Sequence, residues 1–156
     1  MDDTLFEEIY SQTARPLWAY LARMSGNSTL ADDLLQETYL SFLRSPFTST
    51  ELGEIRPYLY KIATNLVYRS FRKAQRESAV EISEGTSGSV YENLEMTQMF
   101  LKLSPRERSL LWLAHVEEYD HREISRILGV NALSVRVLLY RARRKLGELI
   151  KAPGNE

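Results

Sequence analysis

Residues 120–146 read DHREISRILGVNALSVRVLLYRARRKL, and their spacing decides the fold of the second half of the chain. Two short helices that cross steeply need a small residue where the backbones approach, a turn residue tolerant of positive φ, and apolar side chains on the facing sides. Ser125 is the small residue and Gly129 the turn, while Ile124, Leu128, Val130, Val135 and Leu138 fall where the inter-helix core must lie. Asp120, with Glu123 three residues on, predicts the start of the first helix, and Asn131 the start of the second. At 100° per residue, Val135, Leu139, Ala142 and Leu146 gather on one side of the second helix, and Arg136, Val137, Tyr140, Arg141 and Arg144 spread over the other. One face packs and the other is cationic. Arginine forks two hydrogen bonds to guanine in the major groove or neutralises phosphate, and tyrosine reaches a phosphate or a thymine methyl. The competing reading is an amphipathic helix whose arginines are merely solvated; the turn pattern beside it favours a helix-turn-helix that binds DNA.

Upstream, Leu103-Ser-Pro-Arg-Glu107 predicts a further helix, with Ser104 as its cap, Pro105 at the first position and Glu107 closing a capping box. Before that, residues 74–93 (AQRESAVEISEGTSGSVYEN) contain two Gly, four Ser, four Glu and few large apolar residues, which reads as a flexible acidic linker. Strand alternation is scarce elsewhere, whereas apolar residues recur three and four apart. The expected fold is all-α: two small helical domains, residues 1–73 and 94–150, joined by that linker, the second containing the helix-turn-helix. Each is near the lower size for independent stability, so burial against a partner matters to both.

In the first domain the pattern predicts helices from about Asp3 to Met24, where Pro16 is a candidate kink, from about Leu30 to Arg44, and from Pro57 to about Arg72. On the third, Leu59, Ile62, Ala63, Leu66 and Ser70 point one way, while Lys61, Asn65, Tyr68, Arg69 and Arg72 lie on the opposite arc. Tyr and Asn interleaved with cations suit unpaired bases and their backbone, although an aromatic among basic residues is more often a half-buried Tyr beside a solvated edge. On the second helix, Leu34, Leu35, Thr38 and Phe42 face a core, and Asp33, Gln36, Glu37, Leu40 and Arg44 form a separate stripe. Acidic and amide groups around an exposed Leu fit a basic protein partner better than DNA; an ordinary charged helix surface is the plain alternative.

Composition narrows the function classes. The 156 residues carry a net charge of −1, from 20 Lys and Arg against 21 Asp and Glu, which on its face argues against a nucleic-acid partner. The average misleads. Residues 56–73 hold five basic residues and no acid, as do residues 131–146, leaving ten basic against twenty-one acidic residues on the rest. Two cationic patches on an acidic body suit a protein that touches a polyanion at chosen places. There is no Cys, and the two His (His115 and His121) are too few for a histidine-rich metal centre. No phosphate-cradling Gly loop is present, and Asp32 and Asp33, adjacent on a helix, point about 100° apart, a poor cation site. Neither a membrane-length apolar run nor a secretion signal is visible, so the expectation is a cytoplasmic protein that is not an enzyme, with no catalytic residues, metal, cofactor or small-molecule substrate.

With these pieces placed, nearly the whole chain resembles the extracytoplasmic-function (ECF) sigma factors of the sigma-70 family, promoter-recognition subunits of bacterial RNA polymerase. Leu30–Tyr39 (LADDLLQETY) looks like the family's acidic core-binding helix, and Arg56–Asn65 (RPYLYKIATN) is similar to the stretch preceding its −10-binding residues. Leu103–Arg108 (LSPRER), Glu123–Gly129 (EISRILG) and Ser134–Arg143 (SVRVLLYRAR) resemble successive blocks of its −35-binding domain. Tyr58 stands where Trp is common, Ser125 where Ala is usual, Leu133-Ser134 where Gly-Thr is usual and His121 where Ser or Thr is usual.

The resemblance implies roles that periodicity does not. Asp33, Gln36, Glu37 and Leu40 would lie against the β′ clamp helices of core RNA polymerase, and the second domain beside the β flap. Tyr58, Lys61, Asn65, Tyr68, Arg69 and Arg72 would contact the −10 element, with residues 45–54 capturing a base turned out of the duplex. Ser134, Arg136, Val137, Tyr140, Arg141 and Arg144 would grip the −35 element. The linker would thread the polymerase near its RNA exit path, and an anti-sigma factor is implied as a partner. The rival from another class is an autonomous DNA-binding regulator whose first domain dimerises or senses a ligand; it would bind two half-sites about one helical turn apart without polymerase.

Overall fold

The computed structural model describes residues 1–77 and 94–151. Seven α-helices and no strand occur among them: α1 (Asp3–Ser25), α2 (Ser28–Arg44), α3 (Leu52–Glu77), α4 (Leu94–Leu101), α5 (Pro105–His115), α6 (His121–Leu128) and α7 (Ala132–Lys151). They form two compact units, α1–α3 and α4–α7. Most of the predicted linker, residues 78–93, lies outside the described residues, but Ala74–Glu77 continue α3 as helix.

Local chemistry sets the ends of each helix in the first unit. Asp2 caps α1 by accepting from the Thr4 N–H at 3.0 Å, and Gly26 at φ 70° closes it. The next residue, Asn27, then caps α2, its Oδ1 accepting from Leu30 N–H at 3.0 Å, so α2 starts two residues earlier than periodicity suggests. Pro16 neither splits α1 nor ends it; the i−4 carbonyl that its missing N–H cannot reach belongs to exposed Gln12. The same reasoning corrects α3. It begins at Leu52 rather than at Pro57, because the carbonyl facing Pro57 one turn back is that of exposed Gly53, which packs against nothing.

Ile9, Leu17, Tyr20, Leu21 and Met24 of α1, Ala31, Leu34, Tyr39 and Phe42 of α2, and Ile55, Leu59, Tyr60, Ala63 and Val67 of α3 form the first core. The larger aliphatic and phenyl side chains among them each contribute roughly 1.5–3 kcal/mol of transfer free energy on burial, and the alanines less. Several buried hydroxyls are bonded within it: Tyr20 and Thr64 meet at 2.7 Å, Thr38 donates to the Leu34 carbonyl at 2.7 Å, and Thr13 bonds both the Ile9 carbonyl and the Tyr39 hydroxyl.

In the second unit the capping box at α5 is complete. Ser104 accepts from the Glu107 N–H at 3.2 Å and Glu107 accepts from the Ser104 N–H at 2.8 Å. Asp120 caps α6 through the Glu123 N–H at 2.8 Å, Gly129 ends it at φ 69°, and Asn131 accepts from the Leu133 N–H at 2.8 Å to open α7. The turn that the sequence predicts is therefore present with each of its capping residues in place. Ile124, Val135 and Leu139 are sealed as the pattern expects, Ile127 joins them, and Leu128, Val130 and Leu138 are only half-buried. Helix α4 is an element that the sequence pattern leaves undrawn, and α7 runs five residues past Leu146.

Candidate nucleic-acid and protein-binding surfaces

Packing Val135, Leu139 and Ala142 of α7 inward leaves Arg136, Val137, Tyr140, Arg141 and Arg144 exposed, with Ser134 beside them. Five of the six cations of this helix are sorted by their neighbours. Arg143 donates through Nε to His115 Nε2 at 3.0 Å, Lys145 pairs with Glu107 of α5 at 3.5 Å, and Arg144 reaches Glu148 one turn on at 3.7 Å. Two of these tie α7 to its own unit, and the third is a solvent-exposed pair of small energetic worth. Arg136 and Arg141 have no ion-pair partner among the described residues. These two forks are free to meet guanine edges or phosphate.

The outer arc of α3 repeats the arrangement. Lys61, Asn65, Arg69 and Arg72 are exposed, and Tyr68 is half-buried among them. Positions 61, 65, 68, 69 and 72 have the same spacing as 133, 137, 140, 141 and 144 on α7, a strip of about 16 Å along a helix. Lys61, Arg69 and Arg72 also lack an ion-pair partner among the described residues. Tyr58 stands apart from this stripe. It is half-buried and stacks on Phe47 with ring centroids 4.2 Å apart and planes 17° from parallel, and both rings pack against Phe42 at 6.1 to 6.2 Å. The segment between α2 and α3 is thus pinned at its centre by an aromatic pair, leaving Thr48, Thr50 and Glu51 exposed beside it.

On α2, Asp33, Gln36, Glu37, Leu40 and Arg44 are all exposed. Asp33 and Glu37 have no ion-pair partner among the described residues, so the stripe presents uncompensated negative charge. Leu40 and Leu43, 46% and 47% exposed, stand at its end. Asp32 behaves differently from its neighbour: its Oδ1 accepts from the indole Nε1 of Trp18 at 2.7 Å, so the two adjacent carboxylates are engaged separately. No cluster of potential metal ligands occurs among the described residues, and no helix there is long and apolar enough to cross a membrane.

Three surface residues escaped the pattern reading. Leu43 completes the apolar end of the α2 stripe, and Phe47 anchors the loop before α3. Arg106 lines one concavity of about 430 Å³ together with Leu133, Ser134, Val137 and Arg141.

Comparison with known proteins matches these units to two family descriptions. Residues 9–77 match sigma-70 region 2, and residues 93–146 match sigma-70 region 4. The chain is 26% identical over 163 residues to the ECF RNA polymerase sigma factor SigM of Bacillus subtilis, spanning 96% of this chain and 98% of that protein. It is 29% identical over 154 residues to RNA polymerase sigma factor CarQ of Myxococcus xanthus, spanning 93% and 88%. Among solved structures, the sigma factor RpoE in complex with the anti-sigma factor NepR from Bartonella quintana has a similar fold, with TM-score 0.74, 20% identity, and 95% and 98% of the two chains covered. CnrH in complex with the cytosolic domain of CnrY gives TM-score 0.73 at 20% identity over 97% and 91%.

Proposed function

From the premise that this chain belongs to the sigma-70 family, as an ECF-type sigma factor, we propose a division of labour among its three exposed stripes in transcription initiation. Asp33, Gln36, Glu37 and Leu40 of α2 seat the protein on the β′ clamp helices of core RNA polymerase. Lys61, Asn65, Tyr68, Arg69 and Arg72 of α3 hold the −10 element, and Tyr58 acts there through the loop it stacks against. Ser134, Arg136, Val137, Tyr140, Arg141 and Arg144 of α7 grip the −35 duplex, with the second unit beside the β flap. The linker expected at residues 74–93, shortened by the helical Ala74–Glu77, joins the two domains on the polymerase.

The observation that carries this reading is that solvent-facing strips on α3 and α7 hold cations with no ion-pair partner among the described residues, Lys61, Arg69 and Arg72 on one and Arg136 and Arg141 on the other, while Asp33 and Glu37 on α2 have none either. Bases released from the −10 duplex cost a few kcal/mol each to unstack, a magnitude that a base contact with flanking phosphate contacts supplies. The protein acts by selective binding to the opened strand and catalyses nothing itself; its place of work is the cytoplasm, where polymerase and promoter are. The structural neighbours RpoE and CnrH were solved with NepR and CnrY, which supports an anti-sigma factor as a further partner, covering the polymerase-binding surface.

Run-off transcription with purified core polymerase and this protein on a promoter library tests the proposal. Initiation from a subset of templates sharing −35 and −10 sequences is expected. Absence of initiation on every template, with tight binding to paired half-sites by the protein alone, would return the chain to the class of autonomous regulators.

A further inference from the structure

Leu133 is 81% exposed, more than any other large apolar side chain among the described residues. It is the second residue of α7, the end of a recognition helix that meets base edges. A single exposed Leu is ordinary on a protein surface. This one is not isolated: Val137, 47% exposed, lies one turn on along the same face, and both line the concavity that Ser134, Arg141 and Arg106 also line. An apolar strip flanked by two arginines is a poor seat for a basic peptide. It fits the major groove, where phosphates meet the arginines and thymine offers the one apolar group among the base edges, its C5-methyl.

We propose that Leu133, supported by Val137, is a specificity-determining residue that reads a thymine methyl in the −35 element. The inference rests on the assignment of α7 to the −35 duplex and adds a base preference to it.

Substitution of thymine by deoxyuridine removes only that methyl group. The experiment takes −35 duplexes selected from a randomised library by the full chain bound to core polymerase, replaces each thymine in turn by deoxyuridine, and measures affinity for wild type, Leu133→Ala and Leu133→Met. At one position the wild type should lose about fourfold, the worth of one buried methyl group. Leu133→Met should keep most of that loss, and Leu133→Ala should show none. Indifference of the wild type to every replacement, or an equal loss in Leu133→Ala, overturns the inference while leaving the −35 assignment standing. If Arg141→Ala binds the selected duplex as tightly as wild type, the assignment itself fails and the inference with it.

Discussion

The indole of Trp18 donates to Asp32 at 2.7 Å, joining α1 to the first turns of α2 one residue before the acidic stripe begins. Asp32, though exposed, is thereby engaged by its own unit, and Asp33 is left to solvent or a partner. Trp18→Phe keeps the ring and removes the donor. It should weaken association with core polymerase two- to fivefold, the scale of one charge-assisted bond at a partly exposed site, with −35 duplex binding unchanged. Titration of fluorescently labelled protein with core enzyme, alongside binding to −35 duplexes, separates the two effects.

The stripes should fail independently. Arg136→Ala and Arg141→Ala are each expected to lower −35-dependent transcription about fivefold or more, at about 1–3 kcal/mol per guanine fork, while polymerase association is retained. Gln36→Ala combined with Glu37→Ala should do the reverse. Four variants that weakened DNA binding alike, and left polymerase association untouched, would refute the assignment.

Arg106 faces the same concavity as Arg141 but rises from α5, so it is placed for backbone rather than base contact. Arg106→Ala should reduce −35 affinity evenly across sequences and make the slope of log affinity against log salt shallower by about one. A sequence-selective loss would instead place its guanidinium at a base edge.

Glu118 is the one non-glycine residue at positive φ among the described residues, at 60°, in the turn that leads from α5 to α6. The carbonyls before it are taken by the N–H groups of Glu117 and Tyr119, at 3.1 and 3.0 Å, so the turn is fixed and the side chain is what strains it. Glu118→Gly removes a left-handed penalty of about 1–2 kcal/mol and restores part of it as unfolded-state entropy. A net rise of a few degrees in the unfolding midpoint of the second unit is expected by calorimetry.

Burial pushes the Tyr39 hydroxyl above the ordinary tyrosine range, against the opposing pull of its bond to Thr13. The native state then holds its proton after the unfolded chain has released it. The stability contributed is complete below the unfolded value, near pH 10, and is lost as pH rises toward the folded value. Tyr39→Phe should flatten the alkaline fall in thermal stability of the first unit, at the expense of stability near neutral pH through loss of the Thr13 bond. An unchanged alkaline slope would assign that fall to other groups.

What the chain made legible followed from whether a signal was local. Caps at Ser104, Asp120 and Asn131, the turn at Gly129, and the outward arcs of α2, α3 and α7 all rest on residues within a few positions of one another, and the structure has each of them. Pro57 misled because proline is tolerated beyond the first turn wherever the carbonyl it would crowd is open to solvent, a property of Gly53's surroundings that the motif does not carry. Ile127 was missed as a core position, and Leu128, Val130 and Leu138 are less buried than expected, because the packing of α6 on α7 is a tertiary fact. Phe47, Leu43 and Arg106 are single residues whose meaning depends on what stands across a loop or groove.

Each unit has a hydrophobic interior of its own, one around Tyr20 and Tyr60, the other around Leu113 and Ile124. Damage to the second interior therefore need not release the α2 stripe. A variant such as Leu139→Ala, costing about 2–5 kcal/mol in a small unit, should yield a chain that still occupies polymerase yet selects promoters poorly. In a cell that also makes the intact protein, such a chain would sequester enzyme from it, so the genetic behaviour expected of lesions in the second unit is dominant interference rather than simple loss.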